Sequence, residues 1–242
     1  MTRPMSRLAV VAVLALATSG AQAVIVPYTT RAAFEAAAGP FRIVDFEDAA
    51  ADTEIANNGV FDDLTFSFSG LQDGRTALEI IAAPQASVVP AQQLVLGVDT
   101  NGSSTDGQFQ DGDAYTVEFG GPSTIFGIVF QTSTLPVLLQ DGFFSILVDS
   151  NVYTVDIDDG FLICNNTDCA QEINGYFVGV VSDTPFTQAI VQSQERGSNV
   201  FQYFNDDIYV SAVPSPASWA LLATGLGIFS WSRRRTSKAA RG

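Results

Sequence analysis

The feature that most constrains the fold of this chain is a series of short apolar runs separated by clusters of glycine, aspartate, asparagine and proline. In LTFSFS, residues 64–69, apolar and hydroxyl-bearing residues alternate with the two-residue period of a half-buried strand. Further strands are predicted at 41–46, 94–98, 115–119, 125–131, 143–148, 152–157, 176–181, 186–192 and 206–212. Many short strands at this spacing predict an antiparallel sandwich or barrel, with a hairpin over 143–157 that turns at Asp149-Ser150-Asn151.

One helix is predicted in the body, over residues 29–39. Thr29 or Thr30 can cap its start, alanines propagate it, and Gly39-Pro40 ends it. The body is therefore predicted to be all-β with one short N-terminal helix.

Residues 1–23 have the composition of a secretory signal peptide. Arg3 and Arg7 precede an apolar run at 8–17, and Ala21-Gln22-Ala23 supplies the small residues of a cleavage site. We expect signal peptidase to cut between Ala23 and Val24.

The end of the chain, residues 213–235, has the composition of a membrane signal. A Pro-Ser-Pro motif precedes an uncharged segment at 217–232, three arginines follow, and residues 236–242 form a short basic tail predicted to be cytoplasmic. A 16-residue helix spans roughly 24 Å, less than the roughly 30 Å of a hydrocarbon core. Transient membrane residence is therefore favoured over the alternative, a plain C-terminal anchor that is never cleaved.

This tail resembles the PEP-CTERM sorting signals of bacteria and their VPLPA variant. The matching positions are the apolar segment 219–229 and the residues Val213, Pro214, Ser215, Pro216, Arg233, Arg234 and Arg235. Ser215 stands where PEP-CTERM signals usually carry Glu and the VPLPA form carries Leu. The resemblance implies export. Because arginines flank both apolar ends, the positive-inside rule places the body on the periplasmic side of the inner membrane. The resemblance also implies processing by an exosortase-type enzyme and a final place at the cell surface or in the extracellular matrix.

Two blocks of the body resemble the beginning and end of a jelly-roll domain that often precedes such tails. They are YTTRAAFEAAAG with IVDFED, and GYFVGVVSDTPFTQAIVQS with FNDDIYVSAVPSP. The resemblance implies a jelly-roll-like β-sandwich over residues 24–212. In the related carbohydrate-binding jelly rolls, acids near the first and last strands often hold a structural calcium, and the corresponding acids here are Asp45, Glu47, Asp206 and Asp207.

The spacing of Asp45 and Glu47 bears on this calcium hypothesis. Two residues apart on a predicted strand, they point to the same face, where a divalent cation would relieve their repulsion. The alternative is that these acids simply face solvent at strand ends.

Net charge excludes one class of partner. Seven of the 11 basic residues lie in the two ends, so the body keeps four basic residues against 26 acids, a net charge of −22. Such a body repels phosphate backbones, which excludes nucleic-acid binding, and it attracts divalent cations. The alternative interpretation of the acidity is solubility alone.

Two acidic loops are candidate cation sites. The loop at Asp156 begins like an EF-hand but has Thr167 where position 12 requires glutamate. The loop 99–113 offers the oxygen-bearing residues Asp99, Asn101, Asp106, Asp111 and Asp113, although the same residue types are common in solvent-exposed turns.

Catalysis is not predicted, and no catalytic residue is assigned. The chain has no histidine, which removes the Ser-His-Asp and Cys-His arrangements and the usual zinc ligands. A glycosidase needs two facing acids, and no pair among the 26 is distinguished by sequence. Tyr115, Phe143, Tyr176 and Tyr203 fall in strand patterns and are predicted to be core residues.

Cys164 and Cys169 enclose a polar loop and are predicted to form a local disulfide in an oxidising compartment. Together these features predict an exported, sorted β-sandwich without catalytic activity, structural or binding in role. The alternatives are a carbohydrate-binding module that recognises exopolysaccharide and a carboxylate-based glycan hydrolase. Glycan arrays with hydrolysis assays would separate them.

Overall fold

The computed structural model of the protein describes residues 23–82, 93–99, 107–132, 139–164, 172–195 and 201–212. The predicted signal peptide up to residue 22, the sorting motif, the membrane segment 217–232 and the basic tail lie outside the described residues. Within the described part, no helix is long and apolar enough to cross a membrane.

Fourteen antiparallel strands in one open sheet make up most of the described chain. They are β1 Ile25–Tyr28, β2 Phe41–Val44, β3 Thr53–Ala56, β4 Gly59–Phe61, β5 Leu64–Ser67, β6 Ala77–Ala82, β7 Leu94–Val98, β8 Phe109–Gln110, β9 Ala114–Thr132, β10 Phe144–Val148, β11 Asn151–Thr154, β12 Phe161–Cys164, β13 Glu172–Ser193 and β14 Gln202–Ser211. The helix α1 is Arg31–Ala37, and short 3-10 turns occupy Gln72–Gly74 and Ile157–Asp159. The predicted all-β, antiparallel class is therefore confirmed.

Two long strands organise the sheet. The predicted strands 115–119 and 125–131 are the two limbs of one strand, β9, and 176–181 and 186–192 are the two limbs of β13. Both strands bend between their limbs: β9 carries Gly120-Gly121-Pro122 there, and the β13 register shifts between Val181 and Phe186. Because β9 and β13 pair through both limbs, they run through both halves of the sheet.

The two limbs place the other strands in two layers. In the first layer, the limb 114–119 of β9 pairs with β5, and the limb 186–193 of β13 pairs with β10. In the second layer, the limb 123–132 of β9 pairs with β14, and the limb 172–181 of β13 pairs with β1 and β12. The main core lies between these layers and contains the buried Phe66, Val117, Phe130, Ile146 and Val178.

A smaller core fixes helix α1 on the outer side of the second layer. Phe34 is fully buried there, with its ring centroid 5.1 Å from that of Phe177 and 5.6 Å from that of Tyr209. Two glycines on paired strands, Gly127 and Gly179, leave room for these rings. A Cβ added at Gly179 would lie 2.7 Å from the Phe34 ring, so the sheet surface under the helix requires glycine.

Several local predictions hold. Strands β10 and β11 form the predicted hairpin, with Asp149 and Ser150 both in the left-handed region at φ 47° and 68°. Gly39, at φ 64°, follows the helix as a C-terminal glycine should. Thr30 is the N-cap residue, but its side chain makes no capping hydrogen bond.

Strands β1, β3, β4, β6, β8 and β12 were not predicted. Five of them are only two to four residues long, and β6 is the uninterrupted sequence ALEIIA, which lacks a clear two-residue period. The interpretation of Tyr115, Phe143, Tyr176 and Tyr203 as core residues is confirmed, because each is at most 3% exposed.

Candidate functional site

An acidic cluster, defined as Asp45, Glu47, Asp206 and Asp207, lies where β2 ends beside β14. The two strands are antiparallel, with Val44 opposite Ile208. Asp45 follows Val44 and Asp207 precedes Ile208, so the pairing brings the beginning and end of the domain together. The four acids proposed from the sequence therefore share one region of the molecule.

The reason for the proximity of Asp45 and Glu47 differs from the prediction. Strand β2 ends at Val44, and Phe46 has a left-handed backbone at φ 61°, so the two acids belong to a turn. The backbone N–H of Glu47 donates to Oδ1 of Asp45 at 3.3 Å. The expectation that they share a strand face is wrong, because the left-handed residue between them ends the strand alternation.

Asp206 is the buried member of the acidic cluster, with 2% of its surface exposed. Its Oδ2 accepts hydrogen bonds from the side-chain amides of Gln131, at 2.8 Å, and Gln93. Its Oδ1 accepts from the backbone N–H of Asp207 at 2.9 Å. Burial raises the pKa of Asp206 well above its ordinary value, and the charges of Asp207, Glu47 and Asp45 raise it further.

Asp207 connects the cluster to helix α1. It adopts φ 44° at a register shift in β14, and its carboxylate pairs with the guanidinium of Arg31 at 2.7 Å. Burial raises the pKa of Asp207, Arg31 opposes this shift, and Asp45 adds to it. Glu35 accepts from Arg31 at 2.8 Å and from the Tyr209 hydroxyl at 3.2 Å, which fixes the helix against the same strand.

One buried polar atom beside the cluster has no described partner. Gln131 is 1% exposed, and its Nε2 is bound to Asp206, but its Oε1 accepts no hydrogen bond. An unpaired buried carbonyl oxygen costs about 1–3 kcal/mol. A cation or a donor that reached this oxygen would remove that cost.

The described residues contain no group of three or more Asp, Glu, Cys or His side chains arranged as metal ligands. In the acidic cluster, each carboxylate already accepts from the protein: Asp207 from Arg31, Asp206 from two side-chain amides, Glu47 from the Leu94 N–H at 2.9 Å, and Asp45 from the Glu47 N–H. A cation at the cluster would therefore have to compete with these donors.

Gln93, Gln131 and Arg31 were not singled out from the sequence. The glutamines carry no signal, since each is one amide among many. Arg31 does carry one, because it is one of only four basic residues in the body and a buried acid needs a partner.

The second candidate cation loop has a structural role in its described part. Asp99 and Asp113 are buried, at 5% and 1% exposure. Asp99 accepts from the backbone N–H groups of Thr76 and Ala77, and Asp113 accepts from those of Gln72 and Gln110 at 2.6 and 2.7 Å. Asp111 is also buried, whereas Asn101 and Asp106 lie outside the described residues. The expectation that these residues belong to a solvent-exposed turn is wrong for Asp99 and Asp113. Both carboxylates are buried because they accept hydrogen bonds from backbone N–H groups.

The Asp156 loop is a 3-10 turn. Asp156 accepts from the N–H of Asp158 at 2.9 Å, and Asp159 accepts from the Thr29 hydroxyl. Cys164 ends strand β12, and Cys169 lies outside the described residues, so the disulfide stays a prediction.

A second surface feature, which we name the neutral groove, lies on the outer face of the first layer. It has a volume of about 490 Å³ and is lined by Asn57, Asn58, Ser67, Phe68, Ser69, Ala114, Tyr115, Thr116, Ile190 and Gln192. None of these residues is charged. Two other grooves are charged: one contains Arg42 and Asp63, and the other contains Asp45, Asp48 and Asp62.

Strand register builds the neutral groove. Ser67 of β5 lies opposite Thr116 of β9, and Thr116 lies opposite Ile190 of β13, so the three form a row across adjacent strands. One pleat along, Ala114 lies opposite Gln192. Asn57 closes one side, where its Oδ1 accepts from the Phe68 N–H at 2.9 Å.

Comparison with protein-family models, with curated proteins and with solved structures gives no match.

Proposed function

We propose that this chain is an exported, non-catalytic β-sandwich protein, sorted through its PEP-CTERM-like tail to the cell surface or extracellular matrix, where it has a structural or binding role. Its partners on this route are signal peptidase and an exosortase-type enzyme. The observation that carries the proposal is the position of the two ends of the described domain.

The first and last residues of the described domain lie at the same end of four neighbouring strands, β1, β13, β9 and β14. Ile25 begins β1 opposite Ser182, and the Ser211 hydroxyl at the end of β14 accepts from the Thr124 N–H at 3.0 Å. Between them, Val181 of β13 lies opposite Ile125 of β9. The order β1, β13, β9, β14 places the ends three strand spacings apart, or about 14 Å.

This arrangement suits a precursor held by both ends in one membrane. An N-terminal signal and a C-terminal apolar segment can occupy the same bilayer without strain only if the domain presents both ends to it. The predicted cleavage site precedes β1 directly, and the Pro-Ser-Pro motif follows β14 after two residues, Ala212 and Val213. The described domain therefore fits between the two processing signals.

The finer fold assignment, a jelly-roll-like sandwich, is part of the same proposal. It is supported by the pairing of β2, near the start of the domain, with β14 at its end.

Tail processing is the deciding experiment. In a host with the sorting enzyme, replacing Pro214 and Pro216 with alanine should trap a longer, membrane-bound form, because the enzyme would lose its motif. Pro122→Ala, at an exposed position of the body, is the control and should be processed normally. A wild-type protein that keeps Arg233, Arg234 and Arg235 at steady state would favour the plain anchor instead.

One observation favours the hydrolase alternative, the groove of about 410 Å³ that contains Asp45, Asp48 and Asp62. Two carboxylates across a cleft are the requirement for glycoside hydrolysis. Release of reducing sugars by the purified protein, abolished in Asp48→Asn, would replace the non-catalytic proposal.

A structural calcium at the acidic cluster is a separate proposal. It is supported by the gathering of four carboxylates and by the unpaired Gln131 Oε1 beside Asp206, since calcium prefers carboxylate and carbonyl oxygens. The ion would cross-link the turn after β2 to β14, and Arg31 would have to yield its place at Asp207.

A further inference from the structure

We infer that the neutral groove binds an uncharged polysaccharide chain. This inference adds a site and a ligand class to the proposed surface role, and it does not depend on how the tail is processed. It rests on the chemistry of the groove and on its contrast with the charge of the body.

Neutral hydrogen-bonding groups line the groove. They include the amides of Asn57, Asn58 and Gln192 and the hydroxyls of Ser67 and Thr116. The Nε2 of Gln192 also donates to the Ser145 hydroxyl at 3.2 Å, and the Oδ1 of Asn57 accepts from the Phe68 N–H. A ligand would therefore use the remaining hydrogen-bonding capacity of these two amides. Amides offer both donors and acceptors, and a hydroxyl is both at once, whereas a carboxylate only accepts. Sugar hydroxyls also donate and accept, so a neutral polar surface can satisfy them in either sense.

Apolar surface accompanies these groups. Phe68 is partly buried against the core and contributes to the groove wall, while Ile190 and Ala114 lie between the polar side chains on β13 and β9. Ligand sites combine apolar walls with a few polar groups that fix orientation. A pyranose has this mixed character, with C–H groups on its faces and hydroxyls around its rim.

Charge selects among glycans. The body carries 26 acids and four basic residues, so an acidic sugar approaches a strongly negative protein. Within the groove no basic residue compensates a carboxylate. The nearest acid along β9 is Glu118, one pleat beyond Thr116 on the same face, and it adds to this repulsion. The site therefore favours neutral hexoses over uronic acids.

The shape fits an extended chain. The row from Ser67 through Thr116 to Ile190 crosses three strands, which is about 10 Å, and the groove continues along β13 to Gln192. A groove that crosses strands and remains open accommodates an internal stretch of polymer, not only its end.

The test is calorimetric titration of the full chain, purified in a detergent without a sugar headgroup, which could otherwise occupy the groove. The probes are β-1,4-linked hexasaccharides of glucose, mannose and galactose, each paired with its uronic acid counterpart. We expect at least one neutral hexasaccharide to bind and its uronic acid counterpart to bind at least tenfold more weakly.

Variants locate the binding. Gln192→Ala and Thr116→Val should each weaken binding by about 3- to 10-fold, the equivalent of one lost hydrogen bond. Gln188→Ala is the matched control, since Gln188 lies on the same strand and face but outside the groove, and it should change affinity less than twofold. Phe68→Leu keeps the packing and removes the ring, so it tests the apolar wall if Thr116→Val unfolds.

Three results would overturn the inference. They are no binding of any neutral probe at millimolar concentration, equal binding of a hexasaccharide and its uronic acid, and equal weakening by Gln188→Ala and Gln192→Ala. Because the tail plays no part in the titration, a failure here leaves the sorting proposal standing, and a failure of sorting leaves this site standing.

Discussion

At the scale of single residues, Asp206 is a buried carboxyl whose pKa lies well above its ordinary value. Three further acids lie near it, and its hydrogen-bond donors are two side-chain amides and the backbone N–H of Asp207. Burial of a carboxylate without a cation favours its protonated form. Asp206 therefore makes folding sensitive to pH.

The raised pKa of Asp206 determines whether stability rises or falls with pH. Below the ordinary pKa of an aspartate, about 3.9, Asp206 is protonated in both states. As pH rises above that value, the unfolded chain loses the proton first, so the contribution of Asp206 to stability falls until the folded carboxyl has also ionised. Asp207, whose pKa is raised as well, acts in the same direction.

The variant Asp206→Asn should flatten this pH dependence. Its unfolding midpoint, relative to that of the wild type, should rise as pH increases above about 4, because the asparagine does not ionise. Thermal unfolding of the purified protein across this range measures the effect, with Asp149→Asn, on the exposed β10–β11 turn, as the control. A variant that keeps the slope of the wild type would show that Asp206 does not titrate in this window.

At the scale of elements, the attachment of helix α1 depends on two glycines. Gly127 and Gly179 face each other across β9 and β13, and the rings of Phe34 and Phe177 lie over them. The helix has only seven residues, too short to be stable by itself, so this packing holds it. The helix in turn places Arg31 beside Asp207.

Gly179→Ala should therefore destabilise the protein by about 1–3 kcal/mol, the usual cost of overpacking a core. The new Cβ would lie within 3 Å of both rings. Gly70→Ala is the matched control, because nothing lies within 4 Å of a Cβ at that position. Chemical denaturation gives both values.

A double variant sharpens this test. If the clash with Phe34 is the cause, Gly179→Ala combined with Phe34→Ala should cost less than the sum of the two single changes. Strict additivity would assign the loss to the strand backbone instead.

At the scale of the whole molecule, β2 and β14 join the beginning of the domain to its end, and the acidic cluster lies at this junction. Four acids in one region oppose folding unless a cation or protons compensate them. Arg31 compensates one of them. A divalent ion would compensate more and would tie the two ends together.

Calcium should therefore increase the free energy of unfolding relative to chelator, by about 2.7 kcal/mol at 100 times its dissociation constant, and so raise the unfolding midpoint. The quantity to compare is the calcium-dependent shift, since Asp207→Asn also removes the pair with Arg31. Glu47→Gln and Asp207→Asn should each reduce that shift. An unchanged wild-type midpoint would remove the site, and a shift that survives both substitutions would point to the 99–113 loop.

Local sequence determined the class of fold and several of its details. Alternation in 64–69, the turn at Asp149-Ser150 and the glycine after the helix could all be predicted, because strand period, left-handed turns and helix ends depend on residues within a few positions of one another. Composition likewise sufficed for the acidity of the body and for the exclusion of histidine-based chemistry.

Tertiary pairing decided the rest. The joining of four predicted strands into β9 and β13, the burial of Asp99, Asp113 and Asp206, and the neutral groove all depend on residues that are distant in sequence. Ser67, Thr116 and Ile190 become neighbours only through strand register, and a shift of one residue would turn each of these side chains to the opposite face. Burial of a carboxylate similarly depends on the donors that surround it in the fold, such as Gln93 and Gln131 around Asp206, and no local pattern encodes them.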